Sequence, residues 1–459
     1  MSPPPNILLI VSDDHRGGAI AALGEPNLQT PHLDGLISQG TCCLQNRHQG
    51  GDRLAVCTPT RAALHTGRGV HHASVDAFVE QPESISVIPA DAVTLGQAFR
   101  QAGYETFFTG KWHNDFASLS RSFAAGRAVF SGGMSDHYTT PLRDFAAGFV
   151  HEDQPPYTTG RHSSEVFTDA ALDFLNKTPA DRPWLLCISY TAPHDPRQSP
   201  EPFASMYDPD AIPLPPNVSA QPPFDHGDLE VRDEHLAAMP RQPEEIRRHL
   251  ADYYGILSHE DAQIGRLLKT LEAGHRSSRT IVAYTADHGL ALGQHGLMGK
   301  QNLYEPSLRV PLILAGPGVP AGRRIDAPTQ SHDLMPTLTD LAGIGIPGTA
   351  TGLSLRGLME GRVPQIRRYA FAAYRRFQRM VTDGRWKLIR IYRYNGQGSN
   401  RICLFDLRSD PYELHDLATD SASRDTLHRL AEALAAWLNE GDDPLAGVEV
   451  VNVPATKSA

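Results

Sequence analysis

Residues 6–14 have the sequence Asn6-Ile7-Leu8-Leu9-Ile10-Val11-Ser12-Asp13-Asp14, a short apolar run that ends on two adjacent carboxylates. A run of this length predicts a buried strand, because a membrane helix needs roughly 20 apolar residues. Ligands of open α/β sheets bind beyond the carboxyl ends of the strands. The two aspartates are therefore expected at a functional edge of a sheet.

Further apolar runs alternate with amphipathic helical patterns along the chain. This alternation predicts an α/β fold in which a large, mixed, mostly parallel sheet lies between helices. The expected strands lie near residues 6–11, 104–109, 184–190, 280–285 and 310–314. The expected helices cover residues 94–102 and 243–273.

The pattern changes from about Tyr369 to consecutive strand-like runs, at residues 379–391 and 401–407, followed by a helical pattern over 422–438. We predict a small antiparallel sheet with one covering helix. The expected domains are a catalytic α/β domain over residues 1–367 and a C-terminal subdomain over residues 368–459. Residues 193–224 are rich in proline and are expected to form an ordered surface loop that could wall a pocket.

The composition of the chain argues against nucleic-acid binding and against a membrane span. The 42 basic and 52 acidic side chains give a net charge of −10 without a basic run, so nucleic acid is not an expected partner. No stretch is long and apolar enough for a membrane span. The expected location is the cytoplasm, or the periplasm or exterior if a signal peptide was removed. Four of the five cysteines are expected to be structural thiols: Cys42, Cys43, Cys187 and Cys403.

Polar side chains follow four of the predicted strands: Asp13 and Asp14, Lys111 and His113, His194, and Asp287 with His288. The three aspartates offer hard oxygen ligands, which suit Ca²⁺ or Mg²⁺. An Asp-Asp pair after a strand can also be only a turn or a helix cap. The convergence of four strands on one edge favours a metal-dependent site.

A second signal is Cys57-Thr58-Pro59-Thr60-Arg61. Pro59 suits the first turn of a helix, which places Cys57 at the positive amino end, where an oxyanion is favoured. Three residues separate Cys57 from Arg61, whereas a cysteine phosphatase loop has five. A thiolate also matches poorly with a hard cation, because thiolates select soft metals. An unmodified cysteine therefore makes little chemical sense here.

The segment 57–61, with Leu64-His65-Thr66-Gly67-Arg68 after it, resembles the signature of type I sulfatases, members of the alkaline phosphatase superfamily, in which this cysteine is oxidised to formylglycine. Further matching motifs occur in the family's order: Asp13-Asp14, Gly110-Lys111-Trp112-His113, Pro193-His194, Asp287-His288-Gly289 and Gly299-Lys300. The likeness spans residues 6–345, and residues 404–413 resemble the family's carboxyl-terminal element. It implies an alkaline-phosphatase-like fold and a sulfuric ester hydrolase.

The resemblance also implies roles for these residues. The hydrated aldehyde at Cys57 would attack sulfur and touch the metal, Arg61 and Lys111 would neutralise sulfate charge, and His113 would take a proton from the second hydroxyl. His194 with Lys300 would protonate the leaving oxygen. The implied Ca²⁺ ligands, with Mg²⁺ as the other candidate, are Asp13, Asp14, Cys57, Asp287 and His288. A formylglycine-generating enzyme is the implied maturation partner.

Two positions depart from the common family pattern. Many members have Asn where this chain has His288, which leaves the metal shell open, and Thr60 stands where Ser is commoner. The His form resembles sulfatases that act on sulfated sugars. Residues 287–305 and 192–197 likewise resemble bacterial polysaccharide sulfatases, which implies a sulfated sugar or oligosaccharide substrate.

Candidate sugar contacts lie beside the catalytic positions in sequence: His15, Arg16, Arg197, Gln294 and His295. Each has a structural alternative, such as buttressing the metal loop or pairing with a local acid. Two other functions stay open, namely a phosphonate monoester or phosphodiester hydrolase of the same superfamily and an inactive protein that binds sulfated glycans. The sequence also leaves homo-oligomerisation open.

Overall fold

The computed structural model describes residues 3–75, 77–78, 85–146, 155–179 and 181–451. Within these residues the strands are β1 (Asn6–Ser12), β2 (Gly40–Cys43), β3 (Asn46–Arg47), β4 (Gly50–Gly51), β5 (Glu105–Lys111), β6 (Ala125–Phe130), β7 (Arg143–Phe145), β8 (Trp184–Ser189), β9 (Thr280–Ala286), β10 (Leu312–Ala315), β11 (Arg323–Ile325), β12 (Thr329–Gln330), β13 (Ala370–Tyr374), β14 (Gln378–Thr382), β15 (Trp386–Ile391) and β16 (Arg401–Asp406).

The helices of the described residues are α1 (Pro31–Gln39), α2 (Cys57–Thr66), α3 (Leu95–Gln101), α4 (Phe116–Ser122), α5 (Ser163–Lys177), α6 (Pro243–Ala273), α7 (Glu305–Leu308), α8 (Leu334–Ala342), α9 (Arg356–Met359) and α10 (Arg424–Glu440). The predicted helix over 243–273 has the predicted bounds. The helix predicted over 94–102 is α3, and the hydroxyl of Thr94 caps it by accepting the Gln97 N–H.

A nine-stranded sheet in the order β11-β2-β10-β9-β1-β8-β5-β6-β7 forms the centre of the molecule. The strands from β9 through β1, β8 and β5 to β6 are parallel neighbours. Antiparallel pairs occur toward both edges, between β10 and its neighbours β9 and β2 and between β6 and β7. The sheet is therefore mixed and mostly parallel, which confirms the predicted fold class.

Helices cover both faces of this sheet because successive strand residues point to opposite sides. Along β1, Ile7, Leu9 and Val11 pack into a core that includes residues of α2, α3 and α8. Leu8 and Ile10 pack into the opposite core with residues of α1, α5 and α6. Burial on both faces explains why β1 is an unbroken apolar run.

The predicted C-terminal sheet is present, with the strand order β16-β15-β14-β13-β4 and α10 packed against it. The run 379–391, predicted as one strand-like stretch, is a hairpin that reverses at Gly384, where φ is 94°. The fifth strand is the two-residue β4, at Gly50–Gly51, which comes from outside residues 368–459. The small sheet is thus joined directly to the chain just before Cys57.

Residues 193–224 form a loop with a single 3₁₀ turn at Pro209–Ala211, as the composition predicted. Four strands of the central sheet, β2, β6, β7 and β11, were not predicted. In the described part of the chain, no helix is both long and apolar enough to cross a membrane.

Candidate active site

The polar residues predicted after the strands meet at one edge of the central sheet. Strands β9, β1, β8 and β5 are adjacent and parallel, so their carboxyl ends lie side by side. Asp287 follows β9, Asp13 follows β1 and His194 lies beyond β8, while Lys111 is the last residue of β5. The topology therefore assembles groups that are far apart in sequence.

Three carboxylates and one imidazole form the centre of this edge. Candidate ligand atoms of Asp13, Asp14 and His288 all lie within 4.8 Å of one another, as do those of Cys57, Asp287 and His288. All five side chains are buried. Burial and the nearby Asp13 raise the pKa of Asp287 to about 6, because burial and a second negative charge both disfavour ionisation. A bound cation would relieve this repulsion.

Two buried atoms of this centre have no hydrogen-bond partner among the described residues and are suited to bind a cation. The carbonyl of Gly289 lies 3.2 Å from His288 Nδ1, and since a carbonyl only accepts, Nδ1 carries a proton. Burial would lower the pKa of this imidazole, but Asp287 and a hydrogen bond with Asp14 raise it to about 10. Only the neutral ring, in which Nε2 keeps its lone pair, can bind a cation through that atom. His288 Nε2 and Asp13 Oδ1 lie 3.7 Å apart, and both are buried with no hydrogen-bond partner among the described residues. Oxygen-rich donors of this kind fit Ca²⁺ or Mg²⁺.

Three cations surround the carboxylates. The guanidinium of Arg61 donates through Nε to Asp287 Oδ2 at 2.8 Å and lies 3.6 Å from Asp13 Oδ2. The ammonium of Lys111 contacts Asp13, and that of Lys300 lies 3.0 Å from Asp14 Oδ1. Burial alone would raise the pKa of Asp13 and of Asp14, but the neighbouring cations hold both well below their usual range.

Cys57 occupies the first residue of α2, at the positive end of the helix dipole, with Pro59 in the first turn. Its side chain is buried, and burial would raise the pKa of the thiol. Lys111, His113 and Lys300 outweigh that effect and hold the pKa well below its usual value. In contrast, burial raises the pKa of Cys42 to about 11. The position of Cys57 therefore favours an anion.

His113 reaches Cys57 from a strained part of the backbone. Its φ is 53°, in the left-handed region that non-glycine residues seldom occupy, and Asp14 has a φ of 61°. A Cβ at Gly133 would lie 2.8 Å from His113 Cε1, so only glycine leaves room for this ring. Backbone strain of this kind is often found at functional sites.

His194 presents one defined ring nitrogen to the site. Its Nδ1 lies 2.7 Å from the carbonyl oxygen of Asp195, so Nδ1 carries a proton that it donates to this acceptor. Its other nitrogen, Nε2, is then the atom available for proton exchange. A ligand atom of His194 also lies within 4.8 Å of Asp14, next to the carboxylate centre.

A cavity of about 510 Å³ opens onto these groups. Its lining includes Cys57, His113, His194 and Lys300. The remaining lining residues are Leu54, Ala55, Gly133, Met134, Asp228, Glu230, Val231, Arg232, Asp233, Gln301, Arg375 and Gln397. The cavity thus has reactive groups at its base and both charged and apolar side chains at its mouth.

The five candidate sugar contacts lie elsewhere. None of them is among the described residues that line this cavity. His15 is buried between the Tyr284 hydroxyl and the Ala19 carbonyl, and Arg197 donates to His249 Nδ1 at 3.3 Å.

Arg16 and Gln294 line a separate crevice of about 230 Å³, and the guanidinium of Arg16 lies over the Tyr253 ring. His295 stacks on Tyr304 with ring centroids 3.8 Å apart and lines a third crevice. Proximity in sequence to catalytic positions therefore did not translate into proximity to the cavity.

Several residues that line the cavity belong to no motif and follow no strand that the sequence analysis considered. Arg232 and Asp233 lie on a short 3₁₀ segment, and Arg375 directly follows β13 of the C-terminal sheet. Gln301 is the exception, because it directly follows Lys300 in the chain. Ser189 supports the site from below by contacting Arg61 Nη1 at 2.5 Å.

Two protein-family models match the chain. The model described as sulfatase matches residues 5–344, and the model described as N-sulphoglucosamine sulphohydrolase, C-terminal, matches residues 293–440. Together they cover the central sheet, the site and the C-terminal sheet with its helix α10.

Similar proteins agree with the family match. An ulvan-active sulfatase from Formosa agariphila is 28% identical, covering 90% of this chain and 77% of that protein. A structure solved with its substrate D-glucosamine-2-N,6-O-disulfate has a TM-score of 0.79 at 22% identity, covering 96% of this chain and 99% of that one. A phosphonate monoester hydrolase from Agrobacterium radiobacter shares the fold, with a TM-score of 0.74 at 22% identity, covering 95% of this chain and 96% of that one. The residues matched and the chemistry at the sheet edge lead to one conclusion: this chain belongs to the sulfatase family of sulfuric ester hydrolases.

Proposed function

We propose that the protein hydrolyses sulfate esters through a formylglycine formed from Cys57. The observation that carries this proposal is the position of Cys57, buried at the amino end of α2 and stabilised as an anion by Lys111, His113 and Lys300. These groups suit a reacting sulfate, whose oxygens carry negative charge. Formation of the aldehyde requires a formylglycine-generating enzyme as a partner of the chain.

The reaction has two stages. In the first, one hydroxyl of the hydrated aldehyde at position 57 attacks sulfur and gives its proton to the neighbouring Asp287 carboxylate, and the bond between sulfur and the leaving oxygen breaks. His194, with Lys300, supplies the proton that the leaving oxygen takes up. In the second, His113 takes the proton of the remaining hydroxyl, the carbon–oxygen bond to sulfate breaks, and the aldehyde is restored with release of sulfate. Addition of water to the aldehyde then regenerates the hydrate for the next turnover.

Asp13, Asp14, Asp287 and His288 would hold a Ca²⁺ ion, or Mg²⁺, beside position 57. Such an ion supplies Lewis-acid stabilisation of the sulfate oxygens. The support for this assignment is the set of three carboxylates with the unpaired Asp13 Oδ1 and His288 Nε2 atoms, within the described residues. Arg61, paired with Asp287, adds positive charge near the sulfate.

We propose a sulfated sugar as the substrate. The cavity volume of about 510 Å³ is at the scale of small-ligand pockets, which span about 300–1,000 Å³. Its mouth offers hydrogen-bond donors and acceptors, among them Asp228, Gln301, Arg375 and Gln397. Relatives named for ulvan and for N-acetylglucosamine 6-sulfate add weight to this choice.

A phosphonate monoester hydrolase is the second candidate, because sulfate and phosphonate esters have similar geometry and such an enzyme has the same fold. The test is to assay matured protein in parallel on 4-nitrophenyl sulfate and 4-nitrophenyl phenylphosphonate, with Cys57→Ala as control. We expect a higher kcat/KM for the sulfate. A higher value for the phosphonate would replace the proposed function, and equal turnover by Cys57→Ala would remove the role of position 57.

An inactive glycan-binding protein would not need general acids or bases. The grouping of His113, His194 and Lys300 on one cavity argues against that function. Tight binding of sulfated sugars by fully matured protein that releases no sulfate would reverse this conclusion.

A further inference from the structure

Arg232 stands at the mouth of the cavity and contacts two carboxylates at once. Its Nη1 and Nη2 lie 2.5 Å and 3.0 Å from the oxygens of Asp195, a bidentate contact. Its Nη2 also lies 2.6 Å from Asp233 Oδ1. The side chain of Arg232 is 47% exposed, whereas those of Asp195 and Asp233 are at most 10% exposed. The guanidinium thus joins two buried acids from the solvent side.

Each of these carboxylates lies within 4 Å of one of the two proton-donating groups, His194 and Lys300. Asp195 accepts the His194 Nδ1 proton at its carbonyl, and its carboxylate Oδ1 lies 3.4 Å from the same nitrogen. Asp233 Oδ2 lies 3.9 Å from Lys300 Nζ. The contacts therefore run from Arg232 to His194 on one side and to Lys300 on the other.

A second contact reinforces the Lys300 side. Gln301 Nε2 donates to Asp233 Oδ2 at 2.8 Å, while Gln301 Oε1 accepts the backbone N–H of Lys300 at 3.0 Å. Asp233 therefore lies beside the Lys300 ammonium and, through Gln301, also restrains the Lys300 backbone. Arg232 contacts Asp233 Oδ1 and Gln301 contacts Oδ2, so Arg232 supplies one of the two side-chain contacts that orient this carboxylate.

We propose that Arg232 is a positioning residue for proton delivery: it fixes Asp195 and Asp233, and through them the His194 ring and the Lys300 ammonium, beside the leaving oxygen. This inference rests on the proposed function. The planar guanidinium suits the task, because its fork can hold two carboxylates in set directions, which an ammonium cannot do.

The test compares two aryl sulfates of similar size whose leaving groups differ in their need for a proton. Arg232→Met should lower kcat on phenyl sulfate by about 10- to 100-fold, because small misplacements of a catalytic group are costly. On 4-nitrophenyl sulfate, whose leaving group needs little protonation, the loss should be about threefold or less. For Arg232→Lys, kcat on phenyl sulfate should lie between the values of the wild type and of Arg232→Met.

Arg385→Met is the matched control. Arg385 also holds one carboxylate, that of Asp406, with the same side-chain exposures of 47% and 9%, but it lies in the C-terminal hairpin and does not line the cavity. The Arg385→Met variant should have the wild-type kcat on both phenyl sulfate and 4-nitrophenyl sulfate. Equal losses on the two esters in Arg232→Met, or a rise confined to KM, would overturn the proposal in favour of direct substrate binding or general stabilisation.

The crystal structure of Arg232→Met gives a result that does not depend on turnover. The proposal predicts displaced or disordered His194 and Lys300 side chains, with the Arg385→Met structure unchanged at both. Unmoved side chains would overturn it. If matured wild-type protein hydrolysed neither ester, the proposed function would fail, and this structural comparison would still decide whether Arg232 positions the two groups.

Discussion

At the scale of single residues, the site is a set of buried opposite charges. Asp13, Asp14 and Asp287 carry the negative charge, and Arg61 with the lysines at the sheet edge carries the positive charge. Unpaired buried charges are expensive, so each group depends on its neighbours. Changes at this scale should therefore affect chemistry and local stability together.

His194→Gln should separate proton delivery from the attack on sulfur. General acid catalysis contributes about 10²- to 10⁴-fold, so kcat on sugar sulfates and phenyl sulfate should fall by that order. The loss on 4-nitrophenyl sulfate should be much smaller. His235→Gln, at an exposed position of the nearby 3₁₀ segment, is the control. Equal losses on good and poor leaving groups would contradict the assignment of His194 as a proton donor.

Removal of metal should lower both activity and stability. A cation that binds only the folded state stabilises it, so chelation should lower the melting temperature as well as the rate. Asp13→Asn should weaken metal binding, which can be followed by titration calorimetry with Ca²⁺. Full activity and an unchanged melting temperature in a sample shown to be free of metal would contradict the proposed ligand set.

At the scale of elements, a buried network joins the C-terminal sheet to the central domain. Glu305, on α7, accepts from Arg47 and from Lys387 Nζ at 2.9 Å each. Lys387, on β15, also lies 2.7 Å from Glu413, whose carboxylate accepts the Glu305 N–H. The side chains of Lys387 and Glu413 are fully buried. These ion pairs lie across the boundary that the sequence predicted near residue 367.

Lys387→Met should destabilise the whole protein. The change leaves two buried carboxylates without one of their cations, and breaking a buried pair typically costs about 3–5 kcal/mol. Lys177→Met is the control, since Lys177 forms an exposed pair with Asp173 and should change stability by at most about 1 kcal/mol. Urea unfolding measures both. A loss as small as that of the control would show that the network does not bind the sheet to the domain.

The elements also mark what the sequence could predict. The core strands were predictable because burial on both faces makes them unbroken apolar runs, as in β1 and β8. The edge strand β7 spans three residues, Arg143–Phe145, of which only Phe145 is buried, so it has no such pattern. The hairpin at Gly384 was missed because apolar residues flank a turn of only a few residues.

The candidate site likewise contains residues that the sequence could locate and residues that it could not. Residues that directly follow buried strands, such as Asp13 and Asp287, could be located from topology because the strand ends meet. Arg232 and Asp228 reach the cavity from a loop whose path depends on tertiary packing, so no local pattern marks them. His15 directly follows Asp14, and His295 lies between His288 and Lys300 in sequence, yet the side chains of both histidines make contacts away from the cavity.

At the scale of the whole molecule, many histidines are buried in the neutral form. Burial lowers the pKa of His65 to about 3 and that of His15 and His332 to about 4. In the unfolded chain these rings take up a proton near pH 6.5, whereas in the folded chain they do so only below about pH 4. The unfolded state therefore binds more protons in this interval, and stability should fall as the pH drops from about 6.5 toward 4.

Urea unfolding at pH 7.0 and pH 5.0 tests this expectation. Each such histidine should contribute up to about 2 kcal/mol of the loss between pH 6.5 and pH 5. His65→Phe should reduce the pH dependence by about that amount, while His428→Gln, at an exposed position on α10, should not. A free energy of unfolding that is the same at both pH values in the wild type would contradict the account.

The central claim is that Cys57 works as formylglycine, and one measurement tests it most directly. The chain is coexpressed with a formylglycine-generating enzyme, the peptide containing Cys57 is examined by mass spectrometry, and sulfate release from 4-nitrophenyl sulfate is measured on the same sample. Replacement of sulfur and two hydrogens by oxygen should lower the peptide mass by about 18 units, and activity should rise in proportion to the converted fraction. An intact thiol in a sample with undiminished activity would contradict the claim.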